Sequence, residues 1–242
     1  MLLSEVVQFL DTLSPFALQE KWDNSGVNVG DLSREISQIV VSLDIDATMI
    51  DNAEEGTLFV VHHPLIFGNL SALDFAKYPA NLLEKMILKK QSLVAMHTNF
   101  DQTHLNRYVF EDILGFTCDT EEKFVCMAKG DWKYDQLITH IKHKLHLPVV
   151  KVVDRKEQIR SIALTTGSGA SLIDEIEADC FLTGDIKYHD AMKAMNQNLM
   201  MVDIGHYESE SYFAQIMAEK LKVLPLLVII ADSKNPFHIE TV

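Results

Sequence analysis

The run Leu58-Phe59-Val60-Val61-His62-His63-Pro64 decides the fold. Its four apolar residues show no polar alternation. Such a run reads as a strand buried on both faces, the kind found in parallel sheets covered by helices. The chain turns polar the moment the run ends. In open α/β sheets, ligands sit beyond the carboxyl ends of the strands. The residues after each apolar run are therefore where chemistry is expected.

Outward from this run the same pattern repeats. Strands are predicted over 39–43, 93–96, 124–127, 149–153, 161–165, 180–182, 199–204 and 226–230. Helices are predicted over 3–13, 47–54, 81–90, 104–114, 134–146, 170–178, 189–196 and 209–221. Alternation of buried strands with helices indicates an α/β protein with largely parallel sheets. From about Cys118 an acidic stretch (DTEEKF) and a Gly-containing one (AKGDW) introduce a separate strand–helix series. The expectation is two α/β domains, the second inserted into the first: 1–117 plus 198–242, and 118–197.

Composition sets limits. The chain has 242 residues, 48% of them hydrophobic, with a net charge of −14. That is enough apolar material for a core and argues against disorder. The acidic balance disfavours general nucleic-acid binding, which needs a basic face. No run approaches the roughly 20 apolar residues of a membrane span. Three cysteines without a CxxC pair give neither a disulfide framework nor a thiolate zinc site. The first residues, MLLSEVVQFLD, lack a basic segment and read as an amphipathic helix, so a cytoplasmic protein is expected.

Metal-ligand residue types collect after several different strands. Asp44 and Asp46 follow IVVSL, His62 and His63 follow LFVV, and His97 and Asp101 follow LVAM. Thr183, Gly184, Asp185, Lys187 and His189 follow CFL, and His206 and Glu210 follow LMMVDI. Neighbouring strand residues point to opposite faces, so His62 and His63 would diverge, each holding one of two adjacent ions. Paired ions ~3.5–4 Å apart are common in hydrolases. His206 and Glu210, at i and i+4, share one helix face, and Glu210 can bridge two ions. A second reading makes Glu210 a helix-start carboxylate and Asp101 an N-cap. Together, His62, His63, Asp101, His206 and Glu210 give an N/O donor set. It suits Zn, Mn, Fe or Ni without selecting among them, and a metal-activated water is the natural nucleophile.

These motifs resemble the YbgI-like family with a dinuclear metal centre, the GTP cyclohydrolase I type 2 homologues. Trp22-Asp23-Asn24-Ser25-Gly26 is similar to the family's WDNxG segment. His62-His63-Pro64-Leu65-Ile66-Phe67 is similar to its HHP segment, and His97-Thr98-Asn99-Phe100-Asp101 to its HTNxD segment. Thr183-Gly184-Asp185 through Tyr188-His189-Asp190, and Gly205-His206-Tyr207-Glu208-Ser209-Glu210, complete the series in order. The resemblance implies two metal ions on the five ligands, with Glu210 bridging. It implies two α/β domains, a hexameric toroid, and opening of the GTP purine ring with release of formate. One departure is Gln102-Thr103-His104-Leu105-Asn106, where family members often carry a Gly-rich run. A non-catalytic metal-binding protein or metallochaperone is the alternative from the same ligands.

Other residues take secondary roles. Lys187 is a candidate for a substrate phosphate and His189 for proton transfer. His97 is a candidate for proton transfer or for positioning a metal-bound group. Gly167-Ser168-Gly169 reads as a tight turn before a helix. His140, His143 and His146 read as a solvated helix face. Trp22 reads as a packing residue, and Asp23 and Asn24 as turn formers.

Overall fold

In the computed structural model, which describes residues 1–240, eleven strands are found among the described residues. They are β1 (Gly26–Val29), β2 (Gln38–Ser42), β3 (Thr57–Val61), β4 (Ser92–Ala95), β5 (Thr120–Glu122) and β6 (Val125–Lys133). β7 (Lys151–Val153), β8 (Gln158–Leu164), β9 (Cys180–Thr183), β10 (Met200–Asp203) and β11 (Leu227–Ile230) follow. They form two sheets, ordered β1-β4-β3-β2-β11 and β5-β6-β8-β9-β10-β7. The expected α/β class with two sheets holds. No helix among the described residues is long and apolar enough to cross a membrane.

The chain divides into two units. Unit 1 comprises Met1–Phe100 and Phe213–Pro236. Unit 2 comprises Asp101–Tyr212 and the residues from Phe237 on. The sequence reading draws the limits at 117/118 and 197/198. The units divide at 100/101 and 212/213; at the second limit, β10 pairs with β9 and β7, which carries residues 200–203 into unit 2.

In unit 1, β11, β2, β3 and β4 are parallel neighbours. β3 is buried along its whole length, as its continuous apolar run requires. Val40, Phe59, Val61, Leu83, Met86 and Leu93 form one core cluster with Ile50. Helix Leu3–Leu13 buries Leu3, Val6 and Leu10, the spacing of one helical face. The register aligns Ser42 with Val61 and Val61 with Ala95. The residues that follow β2, β3 and β4 therefore emerge at one edge. β1 runs antiparallel to β4 with Gly26 opposite Ala95, so the segment before β1 reaches the same edge.

In unit 2, β8, β9 and β10 are parallel, flanked by antiparallel β6 and β7. Val125, Ala163, Phe181 and Met201 anchor its core cluster. Here too the register ties Leu164 to Leu182, and Leu182 to Val202. The chain leaves the three strands at one edge, through Gly167, Gly184-Asp185 and Gly205-His206.

The helix predicted over 104–114 starts earlier. α-Helical turns at Thr98–Phe100 and Asn106–Tyr108 alternate with π-helical turns at Asp101–Leu105 and Val109–Ile113. π Turns are rare and widen the helix locally. The predicted helix over 209–221 is two helices, His206–Glu210 and Phe213–Leu221. The helix predicted over 170–178 is a 3₁₀ turn, Ala170–Glu175.

Candidate metal centre

In unit 1, His62 and His63 lie just past the end of β3. Both backbone N–H groups donate to the Leu43 carbonyl, each at 3.1 Å. The chain has left the strand there, and the two rings lie side by side, tilted by 50°. Their centroids are 5.0 Å apart, and the His97 ring lies 5.1 Å from His62 and 5.6 Å from His63. One ring nitrogen from each of the three histidines lies within 4.8 Å of the others.

Each ring is held by an oxygen at Nδ1. His62 Nδ1 is 2.8 Å from the Met96 carbonyl oxygen. His63 Nδ1 is 2.7 Å from Asp44 Oδ1. His97 Nδ1 is 2.7 Å from Asp23 Oδ1. A carbonyl can only accept, so His62 carries its proton on Nδ1 and presents the Nε2 lone pair. A carboxylate imposes the same tautomer on neutral His63 and His97. This is the arrangement by which proteins orient metal-binding imidazoles.

Asp23 is the most heavily engaged of these acceptors. Its carboxylate also accepts from the Ser25 hydroxyl at 2.9 Å, the Thr98 amide at 3.1 Å and the Thr98 hydroxyl at 2.5 Å. The Asn24 amide adds a bond of 2.7 Å. Burial works against its ionisation. The hydrogen bond and charge of His97, with the Thr98 and Asn24 bonds, overcome that and hold the carboxyl well below the usual range. Asp23 is thus an anchoring carboxylate, beyond the turn-forming role read from the sequence. Trp22 departs from its expected packing role. It is 58% exposed, with its ring 6.0 Å from His97 and 5.9 Å from Phe67.

Unit 2 holds the other expected ligands. His206 Nδ1 is 2.6 Å from Asp185 Oδ2, and its Nε2 is 3.0 Å from Glu210 Oε2. Glu210 is 3% exposed. A side chain at Gly167, where φ is +62°, would place its Cβ 2.0 Å from Glu210 Oε1 and 3.5 Å from His206 Nε2. The Gly167-Ser168-Gly169 turn therefore has a second purpose: its first glycine leaves the space that Glu210 fills. The Gly167 amide donates to Ser209 Oγ at 3.0 Å, which fixes the turn against helix His206–Glu210. Asp101 is buried and begins the first π-helical turn. Lys187 and His189 are exposed at the start of helix Tyr188–Asn196. The Lys187 amide donates to Asp190 at 3.2 Å, and the His189 ring stacks edge-on with Tyr188.

The donors present suit a borderline divalent ion: imidazole nitrogens with fixed lone pairs and buried carboxylates. Thiolate ligation is not among them. The cysteines form no disulfide, and burial pushes the Cys180 thiol up to about 12, so it stays protonated. His140, expected to be solvated, is half-buried, and its Nε2–H donates to the Leu114 carbonyl at 2.6 Å. His143 and His146 are exposed, as expected. Asp23, Asp44 and Asp185 each hold a histidine ring, a role that the sequence reading did not assign. The signal available was a place after a strand for Asp44 and Asp185, and for Asp23 only its place in the Trp22–Gly26 segment.

The chain has relatives among known proteins. The family model described as Duf34/NIF3 (NGG1p interacting factor 3) matches residues 1–236. A Campylobacter jejuni protein named GTP cyclohydrolase 1 type 2 homolog is 48% identical, covering 98% of this chain and 99% of that protein. A Helicobacter pylori protein named GTP cyclohydrolase 1 type 2 is 42% identical, over 98% and 99%. The solved structure of a protein titled ybgI superposes with a TM-score of 0.84 at 22% identity, covering 98% of this chain and all of that one. At that identity the last match speaks for the fold alone.

Proposed function

Because the chain belongs to the Duf34/NIF3 (NGG1p interacting factor 3) family, we propose that it is a metal-dependent hydrolase acting on a nucleotide through two divalent ions. The ligands in this reading are His62, His63, Asp101, His206 and Glu210, with Glu210 shared by both ions. One observation carries it: His62, His63, His97 and His206 each have Nδ1 engaged by an oxygen at 2.6–2.8 Å. Uncommitted surface histidines do not need four separate acceptors. When bound, the ions would supply a water of lowered pKa and Lewis-acid polarisation of the substrate.

The remaining steps fall to the chain's own groups. Met96 O, Asp44 and Asp185 keep His62, His63 and His206 in the tautomer that presents Nε2. Gly167 keeps Glu210 in place. His97 and His189 are the candidates to move protons, and Lys187 to pair with a substrate phosphate. GTP is the substrate suggested by the names of the Campylobacter and Helicobacter relatives. A cytoplasmic homohexamer completes the proposal.

The test is direct. Protein loaded with Zn, Mn, Fe or Ni is incubated with GTP, and formate and pterin products are followed. Turnover above a His62→Ala/Glu210→Ala control is expected. Equal rates in the two would overturn the hydrolase reading. Sedimentation analysis should give six times the chain mass, and a smaller species would remove the hexamer.

A further inference from the structure

We propose that unit 2 carries a second binding site, separate from the candidate metal centre, which takes a free α-amino acid with an aromatic side chain. The site goes beyond the metal-dependent reading and does not rest on it. It is a cavity of about 450 Å³, within the roughly 300–1,000 Å³ of small-molecule sites. Strand β6, helix Tyr134–Lys144 and the segment before β5 supply its lining. None of the candidate metal ligands takes part in it.

The inner walls are aromatic. Phe116 is 9% exposed. The Trp132 ring stands edge-on to it at 5.7 Å, and the His140 ring lies 5.6 Å from it. Buried Ala128 and Leu137 complete the apolar surface. A fourth ring gains edge-on and offset contacts there in addition to buried area. The walls are also fixed. His140 is tied to the Leu114 carbonyl and shares a helix face with Leu137, three residues before it. The β6–β8 register shifts between Lys129 and Trp132, and a bulge of this kind re-aims a side chain. A Cβ at Gly130 would collide with the Trp132 indole, so this glycine leaves the space in which the ring lies.

The rim carries one charge of each sign. The Lys129 amide donates to Asp119 Oδ2 at 2.7 Å, so the two residues meet at one point of the rim. Both are exposed, and neither enters an ion pair among the described residues. A zwitterion answers both charges, its α-carboxylate to Lys129 and its α-ammonium to Asp119. A phosphate ester would set one lysine against a neighbouring carboxylate, in a chain of net charge −14. The apolar interior and the two-sign rim together select an amino acid with a ring.

The experiment uses the full-length chain and phenylalanine as the probe. The chain has two tryptophans, so Trp22→Phe leaves Trp132 as the reporter of the cavity. Its emission is followed during the titration, and calorimetry on wild type measures the same binding. A saturable change is expected below about 10 mM. Phenethylamine lacks the carboxylate and 3-phenylpropionate lacks the ammonium. Each should bind at least about 5-fold more weakly, and leucine, without a ring, likewise. These probes need no further variant. Asp119→Asn should weaken phenylalanine about 5-fold without weakening 3-phenylpropionate, and Lys129→Met should do so without weakening phenethylamine. Gly130→Ala should remove the emission change, with circular dichroism confirming the fold. No saturable signal by either method would overturn the site. Phenylalanine bound no better than its two one-charge analogues would overturn the amino-acid assignment. A Trp132 response to guanosine monophosphate without one to phenylalanine would do the same. Trp132 emission that shifts on dilution alone, with a fall in sedimenting mass, would mean that a second copy of this chain covers the cavity, and would overturn it as well.

Discussion

The two units solve one problem in two ways. Each sends its candidate donors from the carboxyl edge of three parallel strands, β2-β3-β4 in unit 1 and β8-β9-β10 in unit 2. Unit 1 then fixes its histidines with acceptors: a carbonyl and two carboxylates, one beneath each ring. Unit 2 fixes one histidine with Asp185 and makes room for its carboxylate with a glycine. A site built on acceptors tolerates changes of shape and fails when a charge is lost. A site built on a missing side chain tolerates changes of charge and fails when an atom is added.

The largest expected effect follows from the second case. Gly167→Ala adds a Cβ 2.0 Å from Glu210 Oε1 at a φ of +62°. The backbone conformation alone costs about 1–2 kcal/mol for a residue with a side chain, and displacing a buried carboxylate adds to it. A clear fall in melting temperature and loss of the metal that depends on Glu210 are expected. A variant that melts like wild type with full metal content would break the claim that unit 2 is organised by space.

Next comes Asp23→Asn. Hydrogen bonds to charged groups contribute about 1.5–3 kcal/mol each, and this change removes the charge from several at once. Chemical denaturation should show a loss within or above that range. The pH dependence is the sharper measurement. The Asp23 carboxyl is held below its ordinary value, so its stabilisation is present above the unfolded value of about 4 and is lost as pH falls through the native one. The wild-type advantage over Asp23→Asn should therefore be constant above about pH 5 and shrink on acidification below about pH 4. A gap that widened toward low pH would contradict the assignment.

Asp44→Asn and Asp185→Asn should be milder, since both acids are half-exposed and screened by water. A loss of metal affinity of about 10-fold is expected, with little change in stability. Chelator competition measures it, and equal effects in the two would say that the units orient their histidines alike. Smallest is Lys187→Ala. It should leave metal content and melting temperature unchanged and raise the KM for a triphosphate a few-fold. An unchanged KM would remove Lys187 from the substrate site.

Much of this architecture was legible in the sequence, and the gaps have physical causes. LFVV and IVV announce buried parallel strands because apolar runs this short, rich in β-branched residues and ended by polar ones, suit strands, and helix Leu3–Leu13 follows its periodicity to the residue. β1 escapes because Gly26-Val27-Asn28-Val29 is a half-buried edge strand, with no pattern that separates it from a loop. Missing β1 meant missing Asp23, since only the Gly26–Ala95 pairing brings that segment to His97. β5, Thr120–Glu122, escapes because it is a three-residue edge strand without an apolar residue. The histidines were found because ligand types after strands form a visible pattern. Their acceptors were not, because Asp23 lies 74 residues from His97 and Met96 lies 34 from His62. One residue past β3 the strand ends, and the His62 and His63 amides both turn to the Leu43 carbonyl.

The bond from His62 to the Met96 carbonyl has a consequence for how this protein can change over generations. His63, His97 and His206 each depend on a single acidic side chain, and one nucleotide change can remove it. His62 depends on a backbone oxygen that every amino acid supplies. Any residue accommodated at 96 leaves its tautomer intact. Drift in the gene can detune three of the four histidines one codon at a time, while the fourth is insured by the sheet itself.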